Sequence, residues 1–290
     1  MLKNLVEYIL FILLAKFFTL FKIKSSVTFG KILGTFLFYV IPIRKKVVVE
    51  NLKIAFPDYD ETQIKKIARA NYISFAITLI EMFHIPKLKK EALHNYVLCK
   101  DLDLIKEKHN AGKGVVLLTA HFGNWEIGAV SVGSQLGIPI HTLAKPQRNK
   151  YVSRWLDKMR ASFGNKVILL GVSVRELYKT ILQGGIIGIV GDQRGPETSI
   201  RVKFFNQNTA VYTGTAEIAV KNRTPILVVL VVRSEDCLYE AVVQEIRVDY
   251  DNLSKEESVE FINQSYVNIL EKTVIRYPDQ WFWMHKIWKY

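Results

Sequence analysis

From Gly114 onward, short runs rich in Val, Ile and Leu alternate with stretches of helical periodicity, and this alternation restricts the fold more than any other feature. Runs this apolar have no polar face to turn toward water, so they belong to strands buried on both sides. The strands expected are Val115–Thr119, Ile138–Leu143, Lys166–Leu170, Ile186–Val190, Ile226–Val232 and Tyr239–Arg247. The helices expected between and after them are Asn124–Leu136, Tyr151–Phe163, Val174–Gln183, Tyr212–Asn222 and Lys255–Tyr277. The last two strands can close a hairpin across Ser234-Glu235-Asp236, which makes the expected sheet mixed. The fold class is therefore α/β, a mixed central sheet flanked by helices.

The first hundred residues read differently. Leu5 to Phe21 approaches the roughly 20 residues a spanning helix needs, but Glu7 and Lys16 interrupt it. It is expected to be a membrane-associated helical extension, spanning or lying in the membrane plane. A cleavable signal peptide fits less well, because no small-residue cleavage site follows, and a buried core helix is the remaining reading. Lys22, Lys24 and Lys31 on its downstream side leave the main body in the cytoplasm, at the cell inner membrane. A second apolar stretch, Phe29 to Val40, is closed by Pro42 and followed by the cations Arg44, Lys45 and Lys46, suited to anionic head groups or to a solvated turn. Glu61 to Ile85 has the rhythm of one amphipathic helix, with Asp60 as N-cap and Pro86 as its end. The organisation expected is an anchor over 1–24 and a single α/β domain over 25–290, mainly helical in 25–100 and carrying the catalytic sheet in 101–290.

A net charge of +13 calls for an anionic partner without choosing among nucleic acid, acidic lipid and phosphorylated substrate. The two cysteines, Cys99 and Cys237, form no disulfide framework and no metal-ligand spacing. Trp281, Trp283, Trp288 and Tyr290, interleaved with Lys286 and Lys289, look like an interfacial belt, with a core-packing segment as the other reading. No recognised motif accompanies them to support nucleic-acid binding.

Chemistry concentrates in Ala120-His121-Phe122-Gly123-Asn124-Trp125-Glu126. His121 follows a buried strand and precedes an apolar helix, so it falls where open α/β sheets place ligands. Gly123 permits a tight turn and Asn124 can cap the helix. Residues five apart on one helix diverge by about 140°, but the intervening turn lets Glu126 fold back to an imidazole nitrogen. A carboxylate there fixes the tautomer and supports the imidazolium formed when the other nitrogen takes a proton. The other readings are a hydrogen-bonded structural histidine and a Glu126 that serves the helix dipole. No Gly-x-Ser-x-Gly elbow and no His-Glu-x-x-His pair is present.

The His-x4-Asp/Glu box after a strand resembles the glycerolipid acyltransferase superfamily, and the longer His-Phe-Gly-Asn-Trp-Glu looks like the bacterial lipid A biosynthesis lauroyl/myristoyl acyltransferase family. Asn51-Leu52 with Ala55-Phe56-Pro57, Arg148-Asn149 with Arg160, Gly191-Asp192-Gln193 with Phe204-Phe205, and Pro278 through Lys286 resemble further blocks of that family in the same order. Two departures, Lys150 where Pro is common and Asn206 where Gly is common, bear on the acceptor site. The resemblance implies that His121 is a general base with Glu126 as its charge partner, and that Asn124, Arg148, Arg160, Asp192 and Gln193 contact substrate. It implies direct acyl transfer from an acyl carrier protein thioester, or from acyl-CoA, to a hydroxyl of a membrane glycolipid such as a lipid A precursor. No cofactor or metal is implied. Related families acylate mannosides, amino-acid lipids or lysophospholipids, and a membrane-surface binding protein that has lost activity is the alternative from another class.

Overall fold

The computed structural model describes residues 2–171, 174–236 and 238–289; Cys237 and Tyr290 lie outside them. The helices are α1 (Leu2–Phe18), α2 (Ser26–Tyr39), α3 (Lys45–Ala55), α4 (Glu61–His84), α5 (Lys90–Tyr96), α6 (Leu102–Asn110), α7 (Trp125–Leu136), α8 (Lys150–Arg160), α9 (Val174–Leu182), α10 (Gly214–Asn222) and α11 (Lys255–Arg276). The strands are β1 (Val97–Cys99), β2 (Val115–Thr119), β3 (Ile140–Ala144), β4 (Lys166–Leu169), β5 (Ile186–Val190), β6 (Arg201–Phe204), β7 (Gln207–Ala210), β8 (Ile226–Arg233) and β9 (Tyr239–Ile246).

Seven strands form one sheet in the order β1-β9-β8-β2-β5-β3-β4. Strands β8, β2, β5, β3 and β4 run parallel, while β9 returns antiparallel to β8. The expected hairpin and mixed sheet are therefore present. Alternate side chains serve opposite faces. Val116, Leu118, Ile187 and Val228 pack under α9, α10 and α11, whereas Val115, Leu117, Ile186 and Leu227 pack under α5, α6 and α7. Burial on both faces is the reason these strands carry no polar alternation.

One local feature of the sheet positions the site. Pairing between β3 and β5 stops at Thr142↔Gly188, although β2 and β5 remain paired to Thr119↔Val190 and β3 and β4 to Ala144↔Leu169. Strands β3 and β5 thus part at their carboxyl ends and open a cleft there.

The N-terminal helices make a second layer. Asp60 and Gln63 form a reciprocal capping box at the start of α4, and α2 lies against α4 so closely that a Cβ on Gly34 would sit 2.4 Å from the Ile73 Cα. Among the described residues no helix is long and apolar enough to cross a membrane. The spanning version of the N-terminal expectation is not found, because the 17-residue α1 ends before Phe21 and is packed against α4 and α8.

The aromatic C-terminus is also corrected. Trp281 and Trp283 are 2% and 0% exposed, and Asn71 and Asn51 hold their backbone carbonyls through side-chain amides. This segment is core, wedged between the N-terminal helices and the sheet, not an interfacial belt. Arg44, from the basic cluster, likewise donates to the Met284 carbonyl at 2.8 Å.

Candidate active site

The strand-to-helix turn after β2 is held from three sides. Gly123 has φ +54°, and a Cβ there would come within 2.0 Å of the Val231 carbonyl oxygen, so this position is restricted to glycine by both conformation and space. Its amide donates to Gln280 O, its carbonyl accepts from Thr78 Oγ1, and the His121 carbonyl accepts from the Phe282 amide. Asn124 caps α7 by accepting from the Ile127 amide, and its Nδ2 donates to Glu81 at 2.8 Å. Glu81 is fully buried and also accepts from Tyr96 and Tyr239.

The carboxylate on the imidazole belongs to Asp192. Its Oδ1 lies 2.7 Å from His121 Nδ1, while Oδ2 accepts from the His121 backbone amide and from Trp281 Nε1, both at 2.8 Å. Asp192 follows β5, the strand beside β2, so sheet adjacency brings it to His121 across 71 residues of sequence. Burial opposes the charged form of both groups, but the opposite charges and shared hydrogen bonds outweigh it. The His121 pKa is consequently raised, with Glu126 adding to Asp192 and Arg160 opposing, and the Asp192 pKa is lowered.

Glu126 is engaged elsewhere. It is 5% exposed and receives three hydrogen bonds from Arg160: Nε to Oε2 at 2.9 Å, Nε to Oε1 at 3.2 Å and Nη2 to Oε1 at 2.6 Å. The expected direct Glu126–imidazole contact is replaced by this pair because Glu126 lies in the first turn of α7, opposite the last residue of α8. Its charge still acts on His121 from nearby.

His121, Trp125, Glu126, Arg160 and Gln193 line one cavity of about 1050 Å³ that continues through the cleft between β3 and β5. The deeper walls are apolar, with Leu143, Leu177, Ile189 and Ile262 among them. Nδ1 being held by Asp192, the free ring nitrogen Nε2 is the one available to the cavity. The site thus combines an imidazole, a largely buried ion pair and an apolar-walled space in one cavity.

Of the substrate contacts expected, Gln193 and Arg160 line the cavity. Asn124 does not: it is 0% exposed and both ends of its amide are engaged, so its role is to set the turn. Arg148 is exposed and stands outside the cavity lining, one residue before the α8 cap. Among the described residues no cluster of His, Cys, Asp and Glu could hold a metal ion.

Residues 2–290 match the family model for bacterial lipid A biosynthesis acyltransferases. The chain belongs to that family. It is 24% identical over 251 residues to the lipid A biosynthesis palmitoleoyltransferase of Escherichia coli (strain K12), covering 85% of this chain and 79% of that protein. The lauroyltransferase of the same organism is 23% identical over 250 residues, with 85% and 79% covered. A phosphatidylinositol mannoside acyltransferase of Mycolicibacterium smegmatis is 23% identical over 224 residues, covering 76% of this chain and 71% of the relative. Membership of that family makes the chain an acyltransferase.

The raised His121 pKa has a testable sign. If His121 is the general base, it works only when unprotonated, so turnover should rise with pH through a value above the ordinary imidazole range. In Asp192→Asn the attraction is gone and burial remains, so the acid limb of the pH–rate profile should move to lower pH while the plateau falls. A limb that stays in place would remove Asp192 from the titration of His121.

Proposed function

We propose that this chain transfers a fatty acyl group from a thioester to a hydroxyl of a membrane glycolipid, a lipid A precursor being the first choice of acceptor. The observation that carries the proposal is His121 itself, tied by Nδ1 to a buried carboxylate and lining a long apolar cavity. Nε2 takes the acceptor hydroxyl proton as its oxygen attacks the thioester carbonyl. The tetrahedral intermediate collapses, the C–S bond breaks, and the imidazolium returns the proton to the departing thiolate. Ester and thiol are the products, with no acyl-enzyme. Asp192 is a positioning residue that fixes the tautomer and supports the imidazolium.

Arg160 lines the cavity with His121, and its Nη1 takes no part in the three bonds to Glu126, so it is the donor proposed for the oxyanion; the Phe122 and Gly123 amides already bond to Ala120 O and Gln280 O. Glu126 holds that guanidinium in place. The acyl chain occupies the apolar cavity.

The donor proposed is an acyl carrier protein, with acyl-CoA second. Lys150, Arg154 and Lys158 form an exposed row at i, i+4 and i+8 on α8, preceded by exposed Arg148 and by exposed Lys145, which also lines the cavity. Such a row steers an acidic partner. Membrane attachment at the cytoplasmic side of the inner membrane is proposed through α1 and α2, where Val6, Ile9, Leu10, Leu13, Phe17, Ile32 and Phe36 are exposed and Lys3, Lys16, Lys22, Lys24 and Lys31 flank them. Helices of this kind lie in the interface plane.

The test uses the full chain on vesicles of phosphatidylglycerol and phosphatidylethanolamine, with a dodecanoyl carrier-protein thioester and a lipid A precursor. The product should gain one acyl group by mass spectrometry. Acylation of a mannoside or lysophospholipid in its place would overturn the acceptor assignment, and equal use of dodecanoyl-CoA the donor assignment.

A further inference from the structure

Helix α1 carries a single acid, Glu7, in a sequence otherwise suited to apolar surroundings. A carboxylate there weakens attachment to lipid, so its partner is informative. Glu7 Oε2 accepts from Asn149 Nδ2 at 3.0 Å, and the same amide donates to the Asn4 carbonyl at 2.8 Å. Asn149 is the N-cap of α8, with its Oδ1 receiving the Tyr151 and Val152 amides. The Glu7 charge therefore sits at the positive end of the α8 dipole, where a carboxylate is favoured.

The contact continues along both helices. Tyr8 stacks on Tyr151 with centroids 5.5 Å apart, and Phe11 meets the edges of Trp155 and Phe83, each at 5.1 Å. Helix α8 then runs for 11 residues, about 16 Å at the usual rise, and ends in Arg160, which holds Glu126. A contiguous path of packed and hydrogen-bonded groups thus leads from α1 to the ion pair beside His121.

We infer that α1 is a positioning element of the active site: the Glu7–Asn149 contact fixes where α8 stands, and through it Arg160. The two sides of α1 have separate tasks. Val6, Ile9, Leu10 and Leu13 face outward, while Glu7, Tyr8 and Phe11 grip α8 and α4. Seating of α1 and the geometry of the Arg160–Glu126 pair are consequently linked. The inference rests on the acyl-transfer reading of that pair.

Glu7→Leu in the full chain separates attachment from positioning, because it removes the acceptor while making α1 more apolar. On phosphatidylglycerol–phosphatidylethanolamine vesicles, at least as much protein should sediment as for the parent. The kcat for dodecanoyl transfer should fall about three- to tenfold, the scale of one ordinary hydrogen bond, since Glu7 is solvent-exposed, with the donor KM unchanged. Glu7→Gln keeps a side-chain carbonyl acceptor and should recover most of the loss. Asn149→Asp keeps the cap but loses both donor contacts and sets a second carboxylate against Glu7, so it should be at least as slow as Glu7→Leu, and adding Glu7→Leu to it should cause no further loss. Amide hydrogen exchange on vesicles gives a readout that needs no substrate: Glu7→Leu should speed exchange in α8 and leave α4 unchanged. Unchanged α8 exchange, full kcat in Glu7→Leu, or a loss that merely tracks vesicle binding would overturn the inference. The acyl-transfer reading would still stand or fall on His121→Ala.

Discussion

His121→Ala should lower turnover by roughly 10² to 10⁴ or more, the usual contribution of a positioned general base. The variant should stay folded, since the backbone amide of residue 121 still donates to Asp192 and Trp281 Nε1 keeps its bond to the same carboxylate. Asp192→Asn should also be slow, because an amide cannot support the imidazolium. If Asp192 acts only through the ring, nothing remains for it to assist once the ring is removed, and the double variant should be about as slow as His121→Ala alone. The acid limb of the pH profile should vanish with the imidazole. Full activity in His121→Ala would remove the base assignment, and multiplicative losses would give Asp192 an independent role. Thermal midpoints of all three variants keep a folding defect from passing as a chemical one.

Local pattern carries far in this chain. Strands β2 and β5 begin and end where their apolar runs do, and α4 starts at the Asp60 cap and ends at the residue before Ile85-Pro86. What periodicity does not contain is strand order. Asp192 reaches His121 only because β5 inserts between β2 and β3, and nothing in the run Ile186–Val190 announces its neighbours. Glu126 was the nearest acid in sequence, so spacing favoured it, while Arg160 lay on a helix whose docking angle spacing cannot give. The β6–β7 hairpin escaped for a different reason. Its two-residue turn is Phe205-Asn206, with φ +47° and +60°, the pattern of a type I′ turn without the usual Asn-Gly. Asn tolerates that conformation, which accounts for its place where the family often has glycine. The tryptophans misled because rings beside lysines describe an interface and a polar-edged core equally well. Asn51 and Asn71, which hold the tryptophan carbonyls, were the signal: amides on apolar helix faces need buried acceptors.

Arg160→Met should destabilise the protein by about 3 to 5 kcal/mol, the range for removing one partner of a buried ion pair. The Arg160 and Glu126 side chains are 18% and 7% exposed, too little for water to replace three hydrogen bonds. Glu126→Gln should cost less. It leaves the guanidinium partly solvated and still 3.7 Å from Asp157, and its carbonyl oxygen can accept one of the former bonds. Replacing both, Glu126→Leu with Arg160→Met, removes the two charges together and should restore much of the stability lost in Arg160→Met. Activity should not return with it. The double variant has neither the guanidinium proposed for the oxyanion nor the carboxylate that aims it, so turnover should stay at least about 10² below the parent, the scale of one lost oxyanion donor. Denaturant midpoints and single-turnover rates across the four proteins separate the two effects. An Arg160→Met within about 1 kcal/mol of the parent would mean that the pair is an exposed surface bridge in solution. A double variant with parental turnover would confine it to holding α7 and α8 together.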